Sequence, residues 1–145
     1  MVRLRVEKVG VDANTGLAVV LLYDVNEARV LPIWIGALEA SSVALALEEI
    51  KPPRPMTHDL LYNILLHLDG NVVAATISDL RDGTFFAKMT VQIGSEQVEF
   101  DSRPSDAIAL ALRFRASIYA TDEVMELAAI PPDDVGSDGT EPLVH

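Results

Sequence analysis

The chain is 145 residues long, half of them apolar, 23% charged and 6% aromatic, with no cysteine and a formal net charge of −11. That length suits one domain with its own core, and the missing cysteines exclude disulfide scaffolds, thiol nucleophiles and cysteine-held zinc. No apolar run approaches the ~18–20 residues of a membrane span, and the N-terminus alternates like a strand rather than a targeting segment, so the reading is a soluble cytoplasmic protein with no membrane partner.

Val2, Leu4 and Val6 alternate with Arg3, Arg5 and Glu7, which predicts a strand with one wet face over 2–11. Asp12-Ala13-Asn14-Thr15-Gly16 supplies turn chemistry, and the apolar run from Leu17 to Tyr23 predicts a strand covered on both faces. After the polar turn Asp24-Val25-Asn26-Glu27, residues 29–35 read as a third strand, which Pro32 confines to a sheet edge or a strand end. At Ala37 the period changes: Ala40, Val43, Leu47 and Ile50 share one helical stripe, with Glu39, Ser42 and Glu49 away from it. This helix stops before Lys51-Pro52-Pro53. Thr57 is the expected N-cap of a second helix whose apolar residues are Leu60, Leu61, Ile64, Leu65 and Leu68, with Gly70 capping its end. Asp59, Asn63 and His67 are expected to form its exposed polar stripe.

Three more strands are predicted at about 71–80, 84–93 and 96–101, joined by Arg81-Asp82-Gly83 and Gly94-Ser95. Pro104 opens a third helix to about Phe114, followed by a short strand at 117–119 and a last helix at 122–129. Beyond Pro131 the chain reads as disordered. Residues 121–145 hold seven acids and no Lys or Arg, which leaves 15 acids against 11 bases, a net of −4, for residues 1–120. The order βββ-α-α-βββ-α-(β)-α implies an α+β domain over residues 1–130, with mainly antiparallel sheets covered by helices, and an acidic tail over 131–145. Each half runs from three strands into a helix. Aligning Ile33-Trp34-Ile35-Gly36-Ala37-Leu38-Glu39-Ala40 with Phe100-Asp101-Ser102-Arg103-Pro104-Ser105-Asp106-Ala107 suggests a weak internal duplication.

The polar residues that stand out lie at element ends, where sites tend to be built. Asp101-Ser102-Arg103-Pro104-Ser105-Asp106 opens a helix whose free N–H groups and positive dipole end favour an anion, and Arg103 would add a bidentate phosphate contact. The same residues also make an ordinary helix start, with Pro104 at the first position and Arg103 paired to Asp101. His58 and Asp59 are a candidate acid–base or metal-ligand pair, and Asp79 puts a carboxylate at the rim of a buried face. Asp82-Gly83 reads as turn chemistry, and Trp34 as core or interface. Mg²⁺ or Mn²⁺ held by carboxylates from Asp59, Asp79, Asp101 or Asp106, with His58 nearby, would suit phosphodiester cleavage, and spacing does not choose among the four. HExxH, GxxxxGK[ST], post-strand GxGxxG and GxSxG motifs are all missing, which removes zincin, P-loop, Rossmann and hydrolase-elbow readings.

Four blocks in order carry a resemblance: Leu31-Pro32-Ile33-Trp34-Ile35-Gly36 with Glu39-Ala40; Arg54-Pro55-Met56-Thr57-His58-Asp59-Leu60; Asp79-Leu80-Arg81-Asp82-Gly83-Thr84-Phe85-Phe86-Ala87; and Asp101-Ser102-Arg103-Pro104-Ser105-Asp106-Ala107-Ile108-Ala109-Leu110-Ala111. Together, over about residues 3–125, the chain resembles the bifunctional nuclease family. The resemblance implies a compact α+β domain, often oligomeric, some of whose members cleave both DNA and RNA. It implies a metal-dependent nuclease of low sequence specificity. His58, Asp59, Asp101, Arg103 and Asp106 would be catalytic, with His58 as the acid or base. Arg103 and Ser105 would bind phosphate, and Asp59, Asp79 and Asp101 would hold a divalent metal, Mg or Mn. Longer members carry appended modules, of which none is expected here after Pro131.

A second reading is a non-catalytic homo-oligomeric module, a dimer in its simplest form, that binds a phosphorylated ligand or a protein partner. The acidity, the presence of only three Lys and the apolar Leu31, Ile33, Trp34 and Ile35 near an expected edge strand favour it. Geometry separates the two: the metal reading needs at least three of Asp59, Asp79, Asp101 and Asp106 to converge beside His58.

Overall fold

A computed structural model describes residues 1–12, 14–26, 28–135 and 140–142. Strands β1 (Val2–Asp12), β2 (Ala18–Asp24) and β3 (Val30–Ile35) form an antiparallel meander that runs into helix α1 (Ala37–Leu47). After α2 (Thr57–His67), strands β4 (Gly70–Arg81), β5 (Thr84–Ile93) and β6 (Glu96–Ser102) form a second meander that runs into α3 (Pro104–Phe114). The short β7 (Ser117–Ala120), α4 (Asp122–Ala128), a 3-10 turn at Pro132–Asp134 and β8 (Thr140–Pro142) complete the order. The strands lie β3-β2-β1-β7-β4-β5-β6, with β7 joining the meanders, antiparallel to β1 and parallel to β4. This is an α+β fold. Its halves repeat: α1 and α3 are 11 residues each, begin just after an edge strand, and bury Ala40 and Ala107 at the same position. Glu39 and Asp106 are each the third residue of their helix.

The strands follow from their side-chain periods. In β1, Leu4 and Val6 face the core, but a bulge between Val6 and Lys8 leaves Glu7 and Lys8 both exposed before Val9 turns inward. β2 is buried on both faces: Val20 and Leu22 join the main core, while Val19 and Leu21 pack with Val30, Tyr23, Ile130 and Val135. Pro32 sits in the edge strand, where its missing donor breaks no ladder on the open side. The β4–β5 turn carries positive φ at both Asp82 and Gly83, the primed geometry that matches strand twist. The main core gathers Leu22, Leu31, Ile33, Ile77, Ile108 and Met125. Val72, Val91 and Leu110 form a further cluster with Tyr62, Leu65 and Phe114.

α2 turns most of its apolar residues away from the core. Leu60, Leu61, Ile64 and Leu68 are exposed, and the only buried residue of the helix is His58, with Tyr62 and Leu65 half-buried on the same side. The helix is rotated so that its polar first turn, rather than its leucines, meets α1 and α3. Its start moves as well: Met56 occupies the cap position, and Asp59 rather than Thr57 takes up the free Met56 amide, at 3.0 Å. At its end the left-handed residue is Asp69, while Gly70 already belongs to β4 and lies where a Cβ would press on the Leu65 carbonyl at 3.2 Å.

The stretch expected to be disordered after Pro131 begins with the 3-10 turn, places Val135 on the outer face of β2, and pairs residues 140–142 with Gly10–Asp12 of β1. The two Val30–Ile130 backbone hydrogen bonds, both 2.8 Å, hold the chain there. Residues 136–139 and 143–145 of that stretch lie outside the described residues. Among the described residues no helix is long and apolar enough to cross a membrane.

Candidate functional site

The site is built where α1 and α2 pack against α3. Arg103 holds an extended backbone before Pro104, whose ring suits the first helical position and needs no donor there. Asp106, one turn on, then meets it: Arg103 Nε donates to Asp106 Oδ2 at 2.9 Å and Nη2 donates to Oδ1 at 3.2 Å. The expected Arg103–Asp101 pair is thus replaced by an Arg103–Asp106 fork. From α2, His58 Nε2 lies 2.8 Å from Asp106 Oδ1, and His58 Nδ1 lies 2.6 Å from Ser42 Oγ of α1. An ionised carboxylate only accepts, so Nε2 carries the hydrogen toward Asp106 and Nδ1 accepts from the Ser42 hydroxyl.

A second arm continues from Ser42. Arg113, with 9% of its side chain exposed, donates from Nε to Asp59 Oδ1 at 2.9 Å. Its Nη1 donates to the carbonyls of Ala109 at 2.9 Å and Ser42 at 3.3 Å, and its Nη2 to Ser42 Oγ at 3.3 Å. A continuous chain therefore runs Arg103–Asp106–His58–Ser42–Arg113–Asp59 and ties the three helices together. At its outer end, Arg103 Nη1 stands 3.9 Å from Glu39 Oε1, so the two equivalent helix-start carboxylates flank one guanidinium.

The charges follow from these partners. Burial works to raise the Asp106 carboxyl, but hydrogen bonds from Arg103 and His58, with their charges, outweigh it and hold the group below the ordinary carboxylate value. Asp59 behaves alike: burial raises it, and the Met56 amide, then Arg113 and the charge of His58, bring it below the ordinary value. The hydrogen bond and charge of Asp106 push Arg103 up. Arg113, which can shed neither charge nor stem, is satisfied on every nitrogen; that is what a nearly buried guanidinium requires.

The structure brings together His58, Asp59, Arg103 and Asp106 and leaves the other candidates elsewhere. Asp79 forks onto its own strand: Oδ2 pairs with Arg81 Nε at 2.8 Å and Oδ1 accepts the Leu80 amide at 2.8 Å. Asp101 is exposed in edge strand β6 opposite Lys88, because the pleat turns it outward where Ser102 turns inward. Ser105 is buried in the first turn of α3. Among the described residues no three His, Asp or Glu side chains are grouped to hold a metal ion. Asp59, Asp79 and Asp101, the carboxylates expected to hold Mg²⁺ or Mn²⁺, are thus not gathered into one group.

Two clefts flank the chain of hydrogen bonds. One of about 600 Å³ is lined by Leu45, Glu49, Lys51, Tyr62, Arg113 and Arg115, with Asp59 on its wall. The other, about 340 Å³, is lined by Trp34, Glu39, Phe85, Arg103 and Ser105. Trp34, read as core or interface, stands exposed on that second wall.

Sequence reasoning missed Ser42 and Arg113. Ser42 looked like a solvated position off the apolar stripe of α1. Arg113 carried one signal that went unread: it is the basic residue in the last turn of a helix that is otherwise apolar and small from Ala107 onward.

Comparison with known proteins adds the following. Residues 20–133 match the sequence profile of the bifunctional nuclease domain. Two uncharacterized proteins of Mycobacterium tuberculosis, from strains CDC 1551 / Oshkosh and ATCC 25618 / H37Rv, are each 36% identical over 141 residues, covering 97% of this chain and 84% of theirs.

Proposed function

Because the chain belongs to the bifunctional nuclease domain family, we propose that it cleaves phosphodiester bonds of DNA and RNA with little sequence specificity, at the outer end of the Arg103–Asp106–His58 chain. The observation that carries this reading is the linkage itself. A solvent-facing guanidinium that can take a non-bridging phosphate oxygen is joined through one carboxylate to an imidazole that can exchange a proton.

Arg103 sits at the start of α3, where first-turn N–H groups add to its pull on an anion, and it neutralises charge that builds on the phosphoryl oxygens during cleavage. Asp106 fixes His58 with its hydrogen on Nε2, so the basic lone pair is on Nδ1. In this scheme Nδ1 turns from the Ser42 hydroxyl to take the proton of a water, whose oxygen bonds to phosphorus as one ester P–O bond breaks, and the imidazolium gives that proton to the departing oxygen. Arg113 and Asp59 position Ser42 and α2 and touch no substrate in this scheme. No step uses a metal, since Asp59, Asp79 and Asp101 have no common site. In this reading the protein works in the cytoplasm, where its substrates are, as a homo-oligomer.

A second reading keeps the fold and drops the chemistry: a homo-oligomeric module that binds a phosphorylated ligand or a protein partner. It is favoured by the fact that the ionised side chains of the site are matched to one another, Arg103 to Asp106 and Glu39, and Arg113 to Asp59.

The deciding experiment is cleavage of single- and double-stranded DNA and RNA by highly purified protein, with Mg²⁺, with Mn²⁺ and with chelator, beside Arg103→Gln, His58→Ala and Asp101→Ala. The expected outcome is a loss of about 100-fold in the first two variants with circular dichroism unchanged, and no loss in Asp101→Ala. Equal cleavage by all four preparations, or by none, would overturn the nuclease reading in favour of the binding module. The chelator lane decides the metal requirement independently.

A further inference from the structure

The larger cleft, about 600 Å³, takes no substrate in the reading above, yet it is built like a binding site. Its volume lies within the roughly 300–1,000 Å³ of small-molecule pockets. Leu45 and Ile50 from the end of α1, Leu112 from α3 and Tyr62 from α2 give it apolar walls. Tyr62 is held against Phe114, with ring centres 4.6 Å apart. Pro52 and Pro55, in the connection from α1 to α2, also line it, and their fixed φ keeps that wall from folding inward. α1 and α3 each end beside it on a left-handed residue, Glu49 and Arg115, both at φ 56°. Glycine would take that conformation with less strain, but two charged side chains stand there and pair at 3.0 Å.

The chemistry of the occupant follows from which polar groups are already matched. Glu49 is paired with Arg115, and Asp59 with Arg113. Lys51 makes no ion pair among the described residues, so the lining sets three cations against two acids, a net of +1 on a chain of −11. That surplus suits one anionic group and repels a cation. Asn63 makes no hydrogen bond among the described residues either, and its amide offers an acceptor and a donor side by side. Adenine presents the matching edge, the N6 amine and N7, which an Asn amide grips with two hydrogen bonds. Asp59 lies one turn before Asn63 on the same face of α2. Its oxygens each take one hydrogen bond, from Arg113 and from the Met56 amide, and keep lone pairs for the second hydrogen of that amine. We propose that this cleft binds an adenine nucleotide carrying a single phosphate, with the base against Tyr62 and read by Asn63, and the phosphate on Lys51. The inference is independent of whether the Arg103 end of the site cleaves anything.

The test is a titration of the full chain with adenosine monophosphate, followed by the shifts of its amide resonances. Saturable shifts are expected at the lining segments 45–51, 59–63 and 112–115, with a Kd below about 1 mM. Adenosine, which lacks the phosphate, and uridine monophosphate, whose base lacks the amine, should each bind about tenfold more weakly. Lys51→Glu should weaken adenosine monophosphate about tenfold or more, and Asn63→Leu should bring it down to the level of uridine monophosphate. Ala46→Phe, which fills the cleft from α1, should remove the shifts altogether. They should persist in Arg103→Gln, so failure of the cleavage reading leaves this result standing. The proposal fails if these amides do not saturate, if the shifts gather around Arg103 instead, if adenosine or uridine monophosphate binds as tightly, or if Lys51→Glu binds like the wild type. Lys51 and Asn63 are exposed, so their variants decide the matter if Ala46→Phe does not fold.

Discussion

α2 and α3 are both 11 residues long and both mostly apolar, yet α3 buries Pro104, Ser105, Ala107, Ile108, Ala109, Leu110 and Ala111 while α2 buries His58 alone. The difference lies in residue size and in where the polar bonds are. Ala107, Ala109 and Ala111 let α3 approach the sheet closely, so Ile108 and Leu110 are covered. α2 is anchored by its polar first turn, through His58 to Ser42 and Asp106 and through Asp59 to Arg113. Those bonds choose its rotation, and its leucines are turned outward as a result. An apolar period identifies a helix; the partners of its few polar residues decide which side of it is covered.

The sharpest way to break this comparison is to truncate one isoleucine on each helix. Ile108 is fully buried in the main core and Ile64 is about half exposed. Ile108→Ala should cost about 2–4 kcal/mol through lost transfer and a residual cavity. Ile64→Ala, at concentrations low enough to hold single copies, should stay within about 0.5 kcal/mol. Denaturant unfolding measures both, and similar losses would mean that α2 is covered within the chain after all.

Arg113 and Arg103 give the same contrast in charged form. Arg113→Met removes the partner of Asp59 and the added side-chain bonds to the Ser42 and Ala109 carbonyls, so it should cost about 2 kcal/mol, discounted from a fully buried pair because Asp59 keeps some water. Arg103→Met, on a largely exposed side chain, should cost well under about 1 kcal/mol while abolishing anion binding at the start of α3. Unfolding midpoints set beside cleavage rates separate the arginine proposed to position the helices from the one proposed to meet substrate.

The acid limb of stability sharpens the picture further. Asp59 and Asp106 are both held below the ordinary carboxylate value in the folded chain. A carboxyl so lowered contributes its full stabilisation above its unfolded pKa of about 3.9, and that contribution is lost as the pH falls through the lower folded value. Stability should therefore hold through weakly acidic pH and decline below about pH 4, and Asp106→Asn should make the decline shallower by about 1 kcal/mol or less. A decline unchanged by Asp106→Asn would mean that its fork with Arg103 does not persist in solution.

Most of the skeleton was legible because strands announce themselves locally: the alternation of β1, the two-sided burial of β2, Pro32 at an edge and Asp82-Gly83 at a tight turn all depend on neighbours in sequence. The internal repeat was legible too, since the aligned segments place Gly36 and Arg103 just before α1 and α3. Four of the six linked residues of the site were also readable, in His58, Asp59, Arg103 and Asp106 at helix starts. Their partners were not. Ser42 and Arg113 meet them across 16 and 54 residues, and nothing in their own surroundings reports such contacts. The polar blocks of the family resemblance also treated Asp79 and Asp101 as companions of His58, whereas the pleat and a hairpin end carry those two carboxylates to other parts of the surface.

Asp79 supplies the smallest expected effect and a strict one. Its pair with Arg81 has both partners about half exposed or more, and Arg81 in addition lies over the Phe86 ring at 4.2 Å from its centre. An exposed pair of this kind gains little Coulomb energy in water and loses side-chain freedom, so Asp79→Ala should change stability by no more than about 0.5 kcal/mol. Arg81 keeps its ring contact in the variant, which limits the change further. Cleavage, if present, should be untouched, because among the described residues Asp79 belongs to no group of three acids or imidazoles that could hold a metal. A variant that keeps its unfolding midpoint but loses metal-dependent cleavage would reverse this placement, returning Asp79 to the site and requiring the β4–β5 hairpin to close onto the start of α3 when substrate binds.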